Sequence, residues 1–284
     1  VAPVRDPDGA REQWKEEPLR QRIQFMPWEM PDPVPGLDGV DIVIHAAAVR
    51  PPTLTAPEDW QNINVMGTLA LVKAVRQARV PYLVFISSQA VYGTKQQSPW
   101  TEEHSLLPET PYAHSKATGE ALVKTLSHSS TRWAILRLAR LYGLSPKTRW
   151  QELPHRFSSL AAEGGILPVH GDGQQRVDLI HVKDAAGFVA QLLRCSPAIW
   201  NRIYNVGSGH PVSINDLAQQ CIAISQSKGR TIPRIEYKEN STATLTCGMS
   251  IERTHKVGWT PQISLVEGLS TLIAYARTKR GLVT

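Results

Sequence analysis

Residues 40–48 read VDIVIHAAA, a short apolar run that shrinks at its end to Ala46, Ala47 and Ala48. Unbroken apolar character over so few residues is the pattern of a strand buried on both faces, as in a parallel sheet. The small side chains at its end leave room for a ligand, and open α/β sheets bind ligands beyond the carboxyl ends of their strands. Outward from this run the chain alternates. Residues 58–79 (EDWQNINVMGTLALVKAVRQAR) carry apolar side chains at helical spacing, and 82–86 (YLVFI) form a second buried strand ending in Ser87 and Ser88. A helix containing Tyr112 follows, then a third apolar strand at 133–138 (WAILRL). This alternation predicts an α/β fold built on a doubly wound parallel sheet. Small or polar strand ends at Ala46–Ala48, Ser87–Ser88 and Arg140–Gly143 then fall along one edge of it.

After Gly143 the pattern loosens. LSPKTRWQELP reads as a loop entering a helix, and GGILPVHGDGQQRVD is rich in turn residues. LIHVKDAAGFVAQLLR and IYNVG supply strand, helix and strand, and SINDLAQQCIAISQ opens with a Ser N-cap. SLVEGLSTLIAYARTKR is an amphipathic helix with basic residues in its last turn, as the helix dipole favours. The expected division is a first domain over 1–143 and a smaller, lid-like region over 144–284, with elements around 177–206 packing back on the first sheet.

Composition narrows the class. The chain has 284 residues, 42% hydrophobic and 20% charged, which is ordinary for a globular protein. A net charge of +6 suits an anionic ligand, but no Lys/Arg run marks a nucleic-acid arm. The three cysteines, Cys195, Cys221 and Cys247, lack C-x-x-C spacing, so neither a disulfide framework nor a metal site is expected. A reducing, cytoplasmic setting is the corresponding expectation. No apolar run approaches the ~20 residues that cross a bilayer, and no signal peptide opens the sequence.

Chemistry enters with TPYAHSKATGE, residues 110–120, which sets Tyr112 and Lys116 one helical turn apart. Side chains at i and i+4 share a face. A neighbouring ammonium favours a phenolate, lowering a pKa ordinarily about 10, and a phenol so tuned trades protons with an alcohol or ketone. Y-x-x-x-K also arises by chance in exposed helices, so the neighbours decide. Ser88 ends the preceding strand and would hydrogen-bond a substrate oxygen. Asn64, in NVMGT, would steady a water or the helix.

The stretches VDIVIHAAA, NINVMGT, FISSQAVYG, PYAHSKATGE, ILRLARLYG, GDGQQRVDLIHVKDAA, YNVGSGHPVSINDLA and GWTP…SLVEGL together resemble the extended short-chain dehydrogenase/reductase superfamily, in its NAD-dependent epimerase/dehydratase branch. They recur in the family's order over nearly the whole chain. The resemblance implies a Rossmann-like dinucleotide-binding domain over 1–143 and a substrate-binding region over 144–284, NAD or NADP as cofactor and a nucleotide sugar or similar alcohol/ketone as substrate. Composition points to no nucleic acid or membrane partner, and a homodimer is one assembly left open. It makes Ser88, Tyr112 and Lys116 the catalytic group. It places Arg5, Asp6, Ala46, Ala47, Ala48, Asn64 and Ser87, with Tyr112 and Lys116, at the cofactor, and Ser88, Tyr92, Arg140 and Arg176 at the substrate. His45 is expected to be structural beside the cofactor, His181 and Asp184 to tie strand to helix, and His114 to lie at the surface.

Departures from the family matter as much. No G-x-x-G-x-x-G turn for a pyrophosphate occurs in the chain, and VAPVRDPDGAR resembles the end of the family's second strand. The first strand, glycine loop and helix are therefore expected to be missing from this sequence by truncation, with weak cofactor binding as the consequence. Trp28 stands where family members often carry an adenine-contacting aspartate. The acidic pair that follows the catalytic hydroxyl in 4,6-dehydratases is replaced by Gln89 and Ala90, which argues against that chemistry. Val177 rather than Arg precedes Asp178, and Arg140 replaces an asparagine, so the usual sugar-nucleotide clamp is altered. An epimerase or ketoreductase is the leading expectation, and a non-catalytic scaffold of the same fold the alternative.

Overall fold

The computed structural model describes residues 1–15, 18, 20–34, 36–50, 57–145, 151–226, 231–239 and 247–279. The chain divides into two compact units. Unit 1 comprises Val1–Gly93, Ser105–Arg137 and Ser196–Ile203, and unit 2 comprises Thr94–His104, Leu138–Cys195 and Tyr204–Thr284.

Unit 1 begins with β1 (Ala2–Val4), α1 (Pro7–Gln13) and β2 (Phe25–Pro27), with β1 and β2 paired in parallel. β3 (Ile42–His45) follows, then α2 (Pro57–Asp59), a π-helical stretch at Trp60–Met66, and α3 (Gly67–Gln77). The single helix expected over 58–79 is thus widened at its start. π-turns cost hydrogen-bond geometry and concentrate at functional sites, and this one carries Asn64.

β4 (Tyr82–Ser88), α4 (Pro111–Lys124) and β5 (Arg132–Leu138) complete the unit. A four-stranded sheet runs in the order β10-β5-β4-β3, where β10 is Arg202–Val206, and β3 is parallel to β4. β3 ends that sheet and Ile44 within it is 47% exposed, unlike the buried interiors of β4 and β5. Leu71, Val75, Leu83, Phe85, Val123, Leu126 and Ile135 form the core between sheet and helices.

Local rules explain why α4 sits where it does. Thr110 caps its N-terminus, the hydroxyl accepting from Ala113 N at 3.1 Å, and Pro111 suits the first turn. Gly119 lets the helix lie close on β4, since a Cβ there would stand 2.5 Å from Phe85 Cζ. Gly93 adopts φ +69, and its missing Cβ would meet the Leu107 carbonyl at 2.1 Å. Only glycine closes the turn after β4 in that way.

Unit 2 contains β6 (Arg140–Tyr142), α5 (Leu153–Ala162), β7 (Ile166–His170), β8 (Arg176–Val177), β9 (Leu179–His181) and α6 (Val182–Leu192). β11 (Val212–Ser213), α7 (Ile214–Ser225), β12 (Arg234–Lys238), α8 (Glu252–Lys256) and α9 (Leu265–Lys279) follow. Its strands pair two by two, β6 with β9, β7 with β12 and β8 with β11. Phe157, Leu167, Val169, Leu217, Leu269 and Leu272 fill its core. Residues 146–150, in the loop read from LSPKTRWQELP, lie outside the described residues. Asp184 departs from the expected strand-to-helix tie: its carboxylate accepts from the backbone of Gln262 and Ile263 at 2.9 and 3.0 Å, anchoring the segment before α9. His181 does cap α6, Nδ1 accepting from Lys183 N at 3.3 Å. No helix among the described residues is long and apolar enough to cross a membrane.

Candidate active site

The carboxyl end of β4 gathers the predicted catalytic group. Ile86, Ser87 and Ser88 are consecutive, and each makes a different contact. The Ile86 carbonyl accepts from Lys116 Nζ at 2.8 Å. Ser87 Oγ donates to Glu120 Oε1 at 2.7 Å. The Ser88 hydroxyl faces the Tyr112 phenol and opposes the rise of its pKa. Tyr112, Lys116 and Glu120 are successive i, i+4 positions of α4, so one helix face meets one strand end.

Asn64 is placed by the π-turn and holds the backbone of Val49. Its Oδ1 accepts from Val49 N at 2.8 Å, and its Nδ2 donates to Val49 O and Ser115 Oγ at 3.0 and 2.9 Å. Ser115 Oγ in turn donates to the Tyr112 carbonyl at 2.8 Å. The loop that follows Ala46–Ala48 is thereby stitched to the first turns of α4. Trp60 presses on the Tyr112 ring edge-on, centroids 5.9 Å apart.

The electrostatics differ from the simple expectation of a lysine-lowered phenol. Burial raises the Tyr112 pKa, and the opposing influences are the Ser88 hydroxyl and the charge of Arg50. Lys116 Nζ lies 6.0 Å from the Tyr112 ring centroid, turned toward the Ile86 carbonyl and the Phe85 ring. Burial pulls Lys116 itself down to about 8, partly resisted by the Glu120 carboxylate.

His45, at the end of β3, is structural. It is 4% exposed, and Nε2 lies 2.8 Å from Thr68 Oγ1. Burial, reinforced by the Lys116 charge, lowers its pKa to about 3. Between about 6.5 and 3 the unfolded chain binds a proton that the folded one refuses, so stability falls as pH drops through that window. His45→Gln should flatten that loss. Urea midpoints at about pH 7 and about pH 5 should lie closer together in the variant than in the natural chain.

Some predicted residues have other duties. Ser87 and Tyr92 belong to a buried network, not to a ligand-facing wall. Arg137 donates to Glu120 through Nε at 3.0 Å and Nη2 at 2.7 Å, and through Nη1 to Tyr92 Oη at 2.9 Å. Tyr92 and Glu120 are fully buried and Arg137 is 2% exposed. Asp6 is the N-cap of α1, accepting from Gly9 N at 2.9 Å, and Arg5 pairs with Glu29 at 3.4 Å in solvent. Arg140 and Arg176 belong to unit 2 and flank Cys247, whose N–H donates to the Arg176 carbonyl at 3.0 Å. Burial raises the Cys247 thiol and the Arg140 charge opposes it. The Arg140 guanidinium reaches Glu152 only at 3.9 Å, and Arg176 donates to the Pro211 carbonyl at 2.5 Å.

Glu120 and Arg137 escaped sequence-level reading, although a signal was there. Arg137 is the lone charge inside WAILRL, and an arginine in a buried strand needs a partner.

A Rossmann-like sheet whose strand end meets a Ser, Tyr, Lys group makes the chain a candidate for the class of dehydrogenase-like enzymes. Comparison with known proteins narrows it. Residues 34–207 match the model of the NAD dependent epimerase/dehydratase family, and the chain belongs to that family. It is 28% identical over 246 residues to the human (Homo sapiens) dTDP-D-glucose 4,6-dehydratase, covering 84% of this chain and 69% of that protein. Identity to a putative UDP-glucose 4-epimerase of Methanocaldococcus jannaschii is 30% over 246 residues, covering 84% and 77%. The UDP-glucuronic acid 4-epimerase of Bacillus cereus, solved with NAD, superposes with a TM-score of 0.80 at 23% identity, over 98% of this chain and 88% of that one. That last likeness shows the fold, and the family is NAD-dependent.

Proposed function

We propose that the chain is an NAD(P)-dependent epimerase or ketoreductase acting on a nucleotide sugar or a similar alcohol/ketone, with Tyr112 as proton donor and acceptor. The observation that carries this is the meeting of Ser88, at the carboxyl end of β4, with Tyr112 and Lys116, one turn apart on α4, where Lys116 Nζ donates to the Ile86 carbonyl at 2.8 Å. The protonated Tyr112 phenol, favoured by burial, serves a ketone oxygen as general acid. A substrate hydroxyl gives its proton back to the phenolate, which the Ser88 hydroxyl and the Arg50 charge support. Ser88 also donates to the substrate oxygen as charge develops there.

The residues fit the nicotinamide half of the cofactor. Lys116 has three N–H donors and the Ile86 carbonyl takes one, leaving others for ribose hydroxyls. Ala46–Ala48 keep the end of β3 small, and Asn64 holds the backbone beyond it. NAD, when bound, supplies a reversible hydride acceptor for the carbinol carbon. Gln89 and Ala90 offer neither acid nor base beside Ser88, which favours epimerase or reductase chemistry over elimination of water. The same reading takes the enzyme as cytoplasmic, with free Cys195, Cys221 and Cys247, and as a homodimer, which light scattering tests.

Nuclear magnetic resonance of the chain with NAD and UDP- or dTDP-hexoses tests the proposal. Epimerised or oxidised sugar supports it. A chain that neither converts any of them nor changes NADH absorbance at 340 nm would instead be a scaffold. Arg140 and Arg176 are taken as partners of the diphosphate. Replacing either with Ala should raise KM for a nucleotide sugar about tenfold and leave a neutral ketone within about twofold, on the scale of one charged hydrogen bond. Equal effects on both substrates would reduce them to surface arginines.

A further inference from the structure

We propose that Glu120, clamped by Arg137, is a positioning residue that acts through Ser87 to hold the strand end on which the reaction depends. This rests on the reading of Ser88, Tyr112 and Lys116 as the reacting group. Ser87 stands between Ile86, whose carbonyl holds Lys116, and Ser88, whose hydroxyl faces the Tyr112 phenol. Its own hydroxyl is 2.7 Å from Glu120 Oε1, and the residue is 3% exposed. Glu120 cannot swing away, because Arg137 grips both carboxylate oxygens and Tyr92 grips Arg137 from the far side.

A strand terminus ordinarily frays, since its last groups lack ladder partners. Here β4 ends in a side-chain clamp instead. The bidentate geometry fixes the carboxylate in position and orientation, the use to which a forked guanidinium is suited. Glu120 lies on the same helix as Tyr112 and Lys116, so the clamp sets strand end and helix in one register. It also places a carboxylate where it favours the Lys116 ammonium. The other titratable groups acting around Lys116 are Tyr112 on its own helix and His45 on β3.

Ser87→Ala removes one hydrogen bond and leaves the Glu120–Arg137 pair intact, so the chain should fold. In the full chain with NAD and its nucleotide sugar, kcat should fall about tenfold and KM stay within about twofold, the signature of lost alignment rather than lost binding. A second measurement needs no turnover: 13Cε resonances of labelled lysines, with Lys116 assigned through Lys116→Arg. Slackening the strand end weakens the Ile86 carbonyl contact that favours the ammonium, so Lys116 should titrate at lower pH in Ser87→Ala. A kcat and a Lys116 titration both matching the natural chain, with Tyr112→Phe still inactive, would overturn the inference and leave the site standing. Tyr112→Phe that turns over normally would overturn both.

Discussion

Tyr112→Phe should lower kcat by ~100-fold or more, the scale of one general acid–base group, with NAD affinity within about twofold. The substitution removes only the phenolic oxygen. The ring that meets Trp60 edge-on remains, as do the backbone carbonyl that Ser115 holds and the N-cap made by Thr110. The Ser88 hydroxyl keeps its hydrogen bond from Ala90 N, 3.2 Å away. Steady-state kinetics with a nucleotide sugar, beside calorimetric titration of NAD, separate the two effects. Near-normal turnover with intact cofactor binding would remove Tyr112 from the mechanism.

Breaking the buried ion pair should be the largest single blow to stability. Arg137→Met leaves the Glu120 carboxylate in the core with Ser87 as its remaining partner, and loss of one member of a buried pair costs about 3–5 kcal/mol. At roughly 2–4 °C per kcal/mol for domains of this size, Tm should fall by about 6–20 °C. The double variant Glu120→Gln/Arg137→Met should recover much of that loss, because no unpaired charge stays behind. Scanning calorimetry on the natural chain, the single variant and the double variant measures the cycle. A single variant as stable as the natural chain would mean that water reaches Glu120, contrary to its complete burial.

YLVFISS and WAILRL announced buried strands because a strand covered on both faces must be apolar throughout, whereas VDIVIHAAA, read the same way, forms the end strand β3 with Ile44 47% exposed. Tyr112 and Lys116 were legible as a pair because the helical repeat alone brings i and i+4 together. Ser88 needed only its place at a strand end. The tertiary structure alone decided which neighbours these groups keep. Glu120 Oε1 bonds Ser87 across 33 positions of sequence, and Arg137 Nη1 bonds Tyr92 across 45. No local periodicity encodes a contact over such separations. Direction of charge effects was likewise invisible in one dimension. Lys116 neighbours Tyr112 in sequence, yet its ammonium is drawn to the Ile86 carbonyl, and burial rather than the lysine governs the phenol. Burial is a property of the packed whole, which is why Tyr112 and Lys116 could be read from the chain as a candidate pair and the directions of their pKa shifts could not.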